Sequence, residues 1–306
     1  MATKNSHAGL TVVITGASSG FGKGVAQKLG AQGANVVLAA RRRQLIEELA
    51  IQIGPNALAV ATDVSKEEDV KHLFETTIGA FGAIDVWINN AAVGVIGPFT
   101  EVPIKDIRRA VEINVIGTIY GSHYALRHFK EQQIGTLINV GSVSSKIPYP
   151  YYTPYSATKY AVTGLSAALH QEIELEGYEH IHVCTVHPWA TDTPWFEHTG
   201  NYTGHAAELK PMDDPEIVID AIIDLIDNPK ESVDTGIKAK SAAISGHLAP
   251  ETTEAFNAKY VQKIIQSAPP APPTSGSLHE PMQTGTGVSG GIRERMKLEE
   301  QQQKRK

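Results

Sequence analysis

Residues 10–40 read LTVVITGASSGFGKGVAQKLGAQGANVVLAA. The stretch opens on LTVVIT (10–15), an unbroken apolar run rich in β-branched side chains, which marks a strand buried on both faces. Glycines follow at 16, 20 and 22, and residues 22–32 have helical character. A second apolar run, NVVLAA at 35–40, completes the unit. Strand, glycine loop, helix and strand make a βαβ unit, the element from which parallel sheets are built.

Outward from this unit the alternation continues. Residues 42–53 are helical, and 57–62 form a third strand that ends at Asp63. Ser65 with Glu68 three residues later reads as a capping box for the next helix. IDVWIN (84–89) is a fourth strand, a long helix spans 104–130, and TLINV (136–140) is a fifth strand. A helix over 155–176 leads to a sixth, IHVCTV at 181–186. This order predicts an α/β fold: a doubly wound parallel sheet of the Rossmann type, helices on both faces. Residues 8–266 are expected to form one dinucleotide-binding and catalytic domain. Composition changes at Ser267: 17 of the 25 residues in 267–291 are Pro, Gly, Ser or Thr. Such a segment buries too little apolar surface to offset its ordering entropy. Residues 267–306 are therefore expected to be a disordered linker and charged tail.

The 306 residues carry a net charge of −6, which excludes a basic footprint for nucleic acid. The single cysteine, Cys184, builds neither an intramolecular disulfide nor a thiolate metal site. His187, His198 and His205 have no ligand-like grouping and read as surface or loop residues, so no metal site is expected. Residues 1–10 lack the apolar core of a secretory signal, and no apolar run has the roughly 18–20 residues of a membrane span. A cytoplasmic location is expected.

The loop Gly16-Ala17-Ser18-Ser19-Gly20-Phe21-Gly22 joins the first strand to the first helix. Glycine there lets the backbone turn tightly and approach a pyrophosphate, at which the helix N-terminus aims unpaired N–H groups. The chain lacks the G-K-[ST] ending of a P-loop. At the end of the second strand, where an acidic residue would take the ribose hydroxyls of NAD, stand Arg41, Arg42 and Arg43. A solvated basic turn is the plain alternative, but cations at a helix start oppose its dipole. An anionic partner, the extra phosphate of NADP, is the expectation, with Arg41 and Arg42 as its ligands.

Tyr155 and Lys159 are four residues apart and share a helix face. A cation that close is expected to lower the phenol pKa by roughly 1–3 units and to make Tyr155 a general acid/base. Ser142 lies just past the fifth strand, and Asn89-Asn90-Ala91 follows the fourth, both at the sheet edge where sites of this architecture form. Asn114 sits among apolar residues of the long helix, a costly placement without hydrogen bonds.

These elements resemble, in order and spacing, the short-chain dehydrogenase/reductase family over residues 10–229. The loop Thr15 to Gly22, the Asn-Asn-Ala element at 89–91, Asn114, Ser142 and the Tyr155/Lys159 pair all match. Asp63 and Val64 match the adenine-binding position, and Thr193 matches the threonine that binds the carboxamide. Two positions depart: Trp189 after Pro188 replaces the usual glycine, and Ala92 replaces the glycine after Asn-Asn-Ala. The resemblance implies that Tyr155 is the acid/base and that Lys159 tunes it and holds the nicotinamide ribose. It implies that Ser142 steadies the substrate oxygen and that Asn114 links Lys159 to solvent through a water. Gly16, Ser18, Ser19, Gly20, Phe21, Gly22, Asn90, Ala91 and Pro188 would complete the cofactor site. It further implies a homodimer or homotetramer, with Ala161, Leu165 and Ala168 on the Tyr-bearing helix available for pairing.

Residues 189–202 are rich in aromatics and match the family's substrate lid, with Tyr149, Tyr151 and Tyr152 just upstream of Tyr155. Trp195 and Phe196 either line a substrate mouth or anchor the loop. The reading that follows is an NADP(H)-dependent oxidoreductase interconverting a carbonyl and an alcohol, its substrate apolar or aromatic. An NAD-dependent dehydrogenase of the same family and a non-catalytic dinucleotide-binding regulatory protein are the alternatives.

Overall fold

The computed structural model describes residues 6–303. Part of the N-terminal stretch searched for a leader and the last three residues of the basic tail lie outside them. β1 (Thr11–Thr15), α1 (Gly20–Ala31), β2 (Asn35–Ala40), α2 (Arg43–Ile53) and β3 (Ala57–Ala61) form the first half of the fold. α3 (Glu67–Phe81) leads to β4 (Val86–Asn89), the short β5 (Val95–Ile96) and α4 (Ile104–Val111). One π-helical turn, Glu112–Ile116, joins α4 to α5 (Gly117–Gln132). β6 (Gly135–Val140), α6 (Thr153–Leu175), β7 (Ile181–His187), α7 (Trp195–His198) and β8 (Gly200–Asn201) follow. α8 (Pro215–Asp227), β9 (Ser232–Asp234), α9 (Gly236–Leu248), α10 (Pro250–Ser267) and α11 (Ile292–Gln303) complete the chain.

The main sheet has seven strands in the order β3-β2-β1-β4-β6-β7-β9. Every pairing in it is parallel. Residues alternate between its faces, as strand geometry requires. Val12 and Ile14 pack with Val25 and Leu29 of α1 and Ile222 of α8. Val13 faces the other way, with Trp87, Leu73 of α3 and Phe129 of α5. All five residues of β1 are buried, so an apolar run without polar alternation is what this position demands. Strand order reverses between β1 and β4, and a crevice opens beyond their carboxyl ends at that switch point.

Four expectations change. A seventh strand, β9, pairs with β7; its three residues are exposed or half-buried and give no apolar run. The long helix is interrupted by the π turn that carries Asn114. The capping box does not form: α3 starts after Lys66 without a side-chain cap. Asp63 organises that turn instead, accepting from Ser65 N (3.1 Å) and Ser65 Oγ (2.7 Å).

The fourth change is the largest. Residues 268–291 run as an irregular strap across the crevice rather than as a disordered linker. Leu278 is fully buried against the core around Trp87. The strap's main-chain carbonyls accept hydrogen bonds from Arg41, Arg42 and Arg109. Composition counts apolar side chains and misses main-chain acceptors, which is why the segment reads as unable to pack. After the strap, α11 begins over the buried Asp192, whose carboxylate accepts from Ile292 N (3.0 Å) and Arg293 N (3.1 Å). These bonds satisfy two of the orphan N–H groups of the helix start.

Candidate active site

The crevice holds a cavity of ≈ 230 Å³. Of the site residues singled out from the sequence, all but Gly22 and Asn114 line it. The glycine loop forms one end. Gly16 has φ +70°, and a Cβ there would lie 2.8 Å from Ala91 Cα. A Cβ on Gly22 would lie 2.5 Å from Gly16 O. Both must be glycine for the loop to fold this tightly. Asn90 supports the loop from behind, its Nδ2 donating to Thr15 O (2.8 Å). Thr15 Oγ1 accepts from Asn90 N (3.0 Å) and Ala91 N (3.1 Å). α1 has no side-chain cap; the first of its N–H groups, Gly20 N, donates to Gly287 O (2.9 Å), a donor of the kind an anion site uses.

The end of the cavity near β2 is rich in arginine. Arg41 donates to the carbonyls of Leu278 (3.0 Å) and His279 (3.3 Å) and to that of Ser277. Arg42 Nη1 reaches the carbonyls of Met282 (3.3 Å), Thr284 (3.2 Å) and Gly285 (3.3 Å). Its Nε and Nη2 donate to Ser18 Oγ (3.0 Å) and Ser19 Oγ (2.6 Å). Arg109, not anticipated from the sequence, donates to Asp63 (2.6 Å), Ser65 Oγ (2.5 Å) and Leu278 O (3.2 Å). Burial alone would raise the Asp63 pKa, but the hydrogen bonds from Ser65 and Arg109 outweigh it and hold the carboxyl below its ordinary value. Arg109 lies in the amphipathic α4, where an arginine looks like any solvated charge; only the tertiary fold brings it to Asp63.

At the opposite end, α6 projects Tyr155 and Lys159 into the cavity. Lys159 is buried, and its Nζ donates to Val140 O (2.7 Å) and stands 5.8 Å from the Tyr155 ring centre. Burial pushes its pKa down to about 8. The tyrosine departs from expectation: burial pushes its phenol up to about 12, and a hydrogen bond from Ser142 only partly offsets this. Desolvation of the phenolate exceeds what the Ser142 hydroxyl returns, and the expected lowering by Lys159 does not appear.

Ser142 opens a short 3-10 turn, Val143–Ser145, and accepts from Ser144 N (3.1 Å). His187 lies behind that turn. It was expected at the surface or in a loop, but it ends β7 fully buried, because that strand is interior to the sheet. Its Nδ1 is 3.2 Å from Ser145 Oγ and 3.3 Å from Ser142 O. Burial pushes the imidazole down to about 4, so it is neutral beside Lys159.

Asn114 does not reach the cavity. Its Nδ2 donates to Val93 O (2.9 Å) and Thr158 Oγ1 (3.0 Å), and its Oδ1 accepts from Val93 N (2.8 Å). The side chain thus ties the loop after β4 to α6, and its donors are used there rather than on a water beside Lys159. Thr158 Oγ1 in turn donates to Tyr155 O (2.7 Å).

Aromatics cover the tyrosine end. Trp195 lies against Tyr155 with ring centres 4.9 Å apart, and Phe196 meets Trp195 edge-on at 5.0 Å. Both line the cavity, as do Tyr149, Tyr152 and Trp189. Trp189 is fixed by a hydrogen bond from Nε1 to Pro211 O (2.7 Å). Pro188 and Thr193 reach the cavity between the two ends. Among the described residues no group of three His, Cys, Asp or Glu could hold a metal, and no helix is long and apolar enough to cross a membrane.

Comparison with known proteins points the same way. A family model for the short chain dehydrogenases matches residues 10–202. The uncharacterized oxidoreductase YxnA of Bacillus subtilis is 35% identical over 272 residues, covering 87% of this chain and 76% of that protein. The 3beta-hydroxysteroid dehydrogenase 1 of Eggerthella lenta is 36% identical over 192 residues, covering 61% of this chain and 72% of that protein. Among solved structures, the 3-ketoacyl-(acyl-carrier-protein) reductase of Brucella melitensis, complexed with NADH, superposes with a TM-score of 0.66 at 29% identity. That match covers 76% of this chain and 99% of the reductase.

Proposed function

Because the chain belongs to the short-chain dehydrogenase/reductase family, we propose that it is an NADP(H)-dependent oxidoreductase that reduces the carbonyl of an apolar or aromatic substrate. The observation that carries this is the convergence of Ser142, Tyr155 and Lys159 at one end of a cavity whose other end holds Arg41 and Arg42. A nicotinamide dinucleotide fits the residues present. The glycine loop packs too closely for any Cβ at Gly16 or Gly22, and no side chain caps the start of α1. Gly16, Ser18, Ser19, Gly20 and Phe21 would hold the pyrophosphate, and Arg41 and Arg42 the 2′-phosphate. Asp63, Val64, Asn90 and Ala91 would flank the adenosine, and Pro188, Thr193 and Lys159 the nicotinamide half. The reduced cofactor supplies the hydride.

The chain's own groups handle the proton. Tyr155 gives its phenolic proton to the carbonyl oxygen as negative charge develops there. A phenol pKa of about 12 keeps that proton in place at neutral pH, which suits reduction. Ser142 donates a hydrogen bond that steadies the same oxygen. Lys159, cationic below about pH 8, stabilises the phenolate left behind. Asn114 acts as a positioning residue through Thr158. Trp195, Phe196 and Trp189 exclude water from the reacting centre and favour an apolar or aromatic substrate. The steroid named for the Eggerthella relative is of that chemical class.

The test is fluorescence titration of NADPH and NADH, followed by turnover with a panel of steroid, aromatic and aliphatic ketones and aldehydes. Tighter NADPH binding and NADPH oxidation with apolar ketones are expected. Binding of either dinucleotide without turnover of any carbonyl would leave a dinucleotide-binding regulatory protein as the better reading.

A further inference from the structure

We infer that residues 277–287 are a displaceable occupant of the phosphate-recognising groups, a strap that NADP(H) lifts as it binds. The inference rests on the NADP(H) reading above for which phosphate does the lifting.

The strap holds the donors that an anionic dinucleotide would use. Arg41 and Arg42 are bonded to carbonyls between Ser277 and Gly285. Lys23 Nζ donates to Thr286 O (3.0 Å). The first N–H of α1, Gly20 N, donates to Gly287 O (2.9 Å). Guanidiniums, an ammonium and a helix N–H are thus all satisfied by neutral carbonyls. Phosphate oxygens make charge-assisted bonds roughly twice as strong to the same donors, so a phosphate wins the exchange where water does not. The cavity left beneath the strap, ≈ 230 Å³, is below the roughly 300–1,000 Å³ of ligand pockets. Ser277, Pro281 and Met282 form its wall. A dinucleotide needs that wall to move.

The strap is built to lift without leaving. α10 precedes it, and Asp192 fixes the start of α11 after it. Between these ends Leu278 is its buried apolar anchor. The two bonded halves also answer to different phosphates. Lys23 and Gly20 hold residues 286–287, where a pyrophosphate competes. Arg41 and Arg42 hold residues 277–285, where only a 2′-phosphate competes. NADP(H) therefore frees 277–285 more fully than NAD(H), which moves the wall but brings no phosphate to replace the carbonyls on Arg41 and Arg42.

Hydrogen–deuterium exchange on the full chain, alone and saturated with NADPH or with NADH, reads this directly. Faster exchange across 277–285 is expected with NADPH, and a smaller rise with NADH. Two variants give a second readout. Gly285 has φ +63°, a conformation that valine strongly disfavours, and a Cβ there would press on His198 and Glu197, so Gly285→Val destabilises the seated strap. Leu278→Ala removes its apolar anchor. If the strap is closed in about nine molecules of ten, each variant tightens the NADPH dissociation constant by up to about tenfold. Unchanged or greater protection of 277–285 under NADPH overturns the inference, as does NADPH affinity that is unchanged or weaker in both variants. Equal affinities of the wild type for NADH and NADPH would instead remove the cofactor preference. The strap would then be judged by whether either dinucleotide frees it.

Discussion

Two ionisable side chains set the pH behaviour of the proposed chemistry. Tyr155 is pushed up to about 12 and Lys159 down to about 8, both by burial. Across neutral pH the phenol keeps its proton and the amine its charge. Raising pH through about 8 discharges Lys159 while Tyr155 is still protonated, so the acid remains but the cation that stabilises its conjugate base is lost. The kcat/KM for carbonyl reduction is expected to be level below pH 8 and to fall above it. Lys159→Met should be slow at every pH and should lack that descending limb; a wild-type profile level to pH 10 would contradict the assignment. Arg41 supports a second prediction. Arg41→Asp places a carboxylate where a 2′-phosphate would sit, so NADPH affinity should drop by tenfold or more, about 1.4 kcal/mol, and NADH should become the preferred cofactor. Parallel titrations check this, and unchanged preference would count against Arg41 as the discriminating residue. The places of the proposed catalytic side chains were legible because each had to lie at a fixed position beyond a strand or on one helix face. Their pKa directions were not, since desolvation depends on neighbours that only the folded chain supplies.

The long helix shows what an element adds. Its π turn, Glu112–Ile116, inserts an extra residue where Asn114 must turn inward, and such insertions are frequent at functional sites. Asn114 then closes a chain of bonds from Val93 through Thr158 to the backbone of Tyr155. Asn114→Ala strands the buried N–H and C=O of Val93 at about 1–3 kcal/mol each, so a loss of about 2–6 kcal/mol in chemical denaturation is expected, with reduced turnover. A loss under about 0.5 kcal/mol would mean that the tie is not made. The interior strands could be read directly: burial on both faces favours largely apolar runs, and β1, β2 and β7 have them. β9 could not, because a three-residue edge strand needs no apolar run. The start of α3 misled for a related reason, since Ser65 matched a capping pattern while its hydroxyl was committed to Asp63.

At the scale of the whole molecule, the C-terminal segment is where composition and structure part. Proline, glycine, serine and threonine predict disorder when side-chain burial is the only source of stability considered. Here cations on the sheet edge bind main-chain carbonyls, and one leucine supplies the apolar anchor. The same cations belong to the proposed cofactor site, so the tail and that site are read together. Assembly is a further expectation at this scale. Ala161 and Ala168 of α6 are exposed and Leu165 is half-buried, an apolar strip open to a second copy, and a homodimer or homotetramer is proposed. Sedimentation should give two or four chains, and Ala168→Arg should lower that number; a monomer at micromolar concentration would contradict it. The most direct test of the central claim compares wild type with Tyr155→Phe, measuring NADPH binding and carbonyl reduction side by side. The variant should bind NADPH as the wild type does while kcat falls by roughly 10²–10⁴-fold. Turnover retained within a fewfold would show that this phenol is not the proton donor.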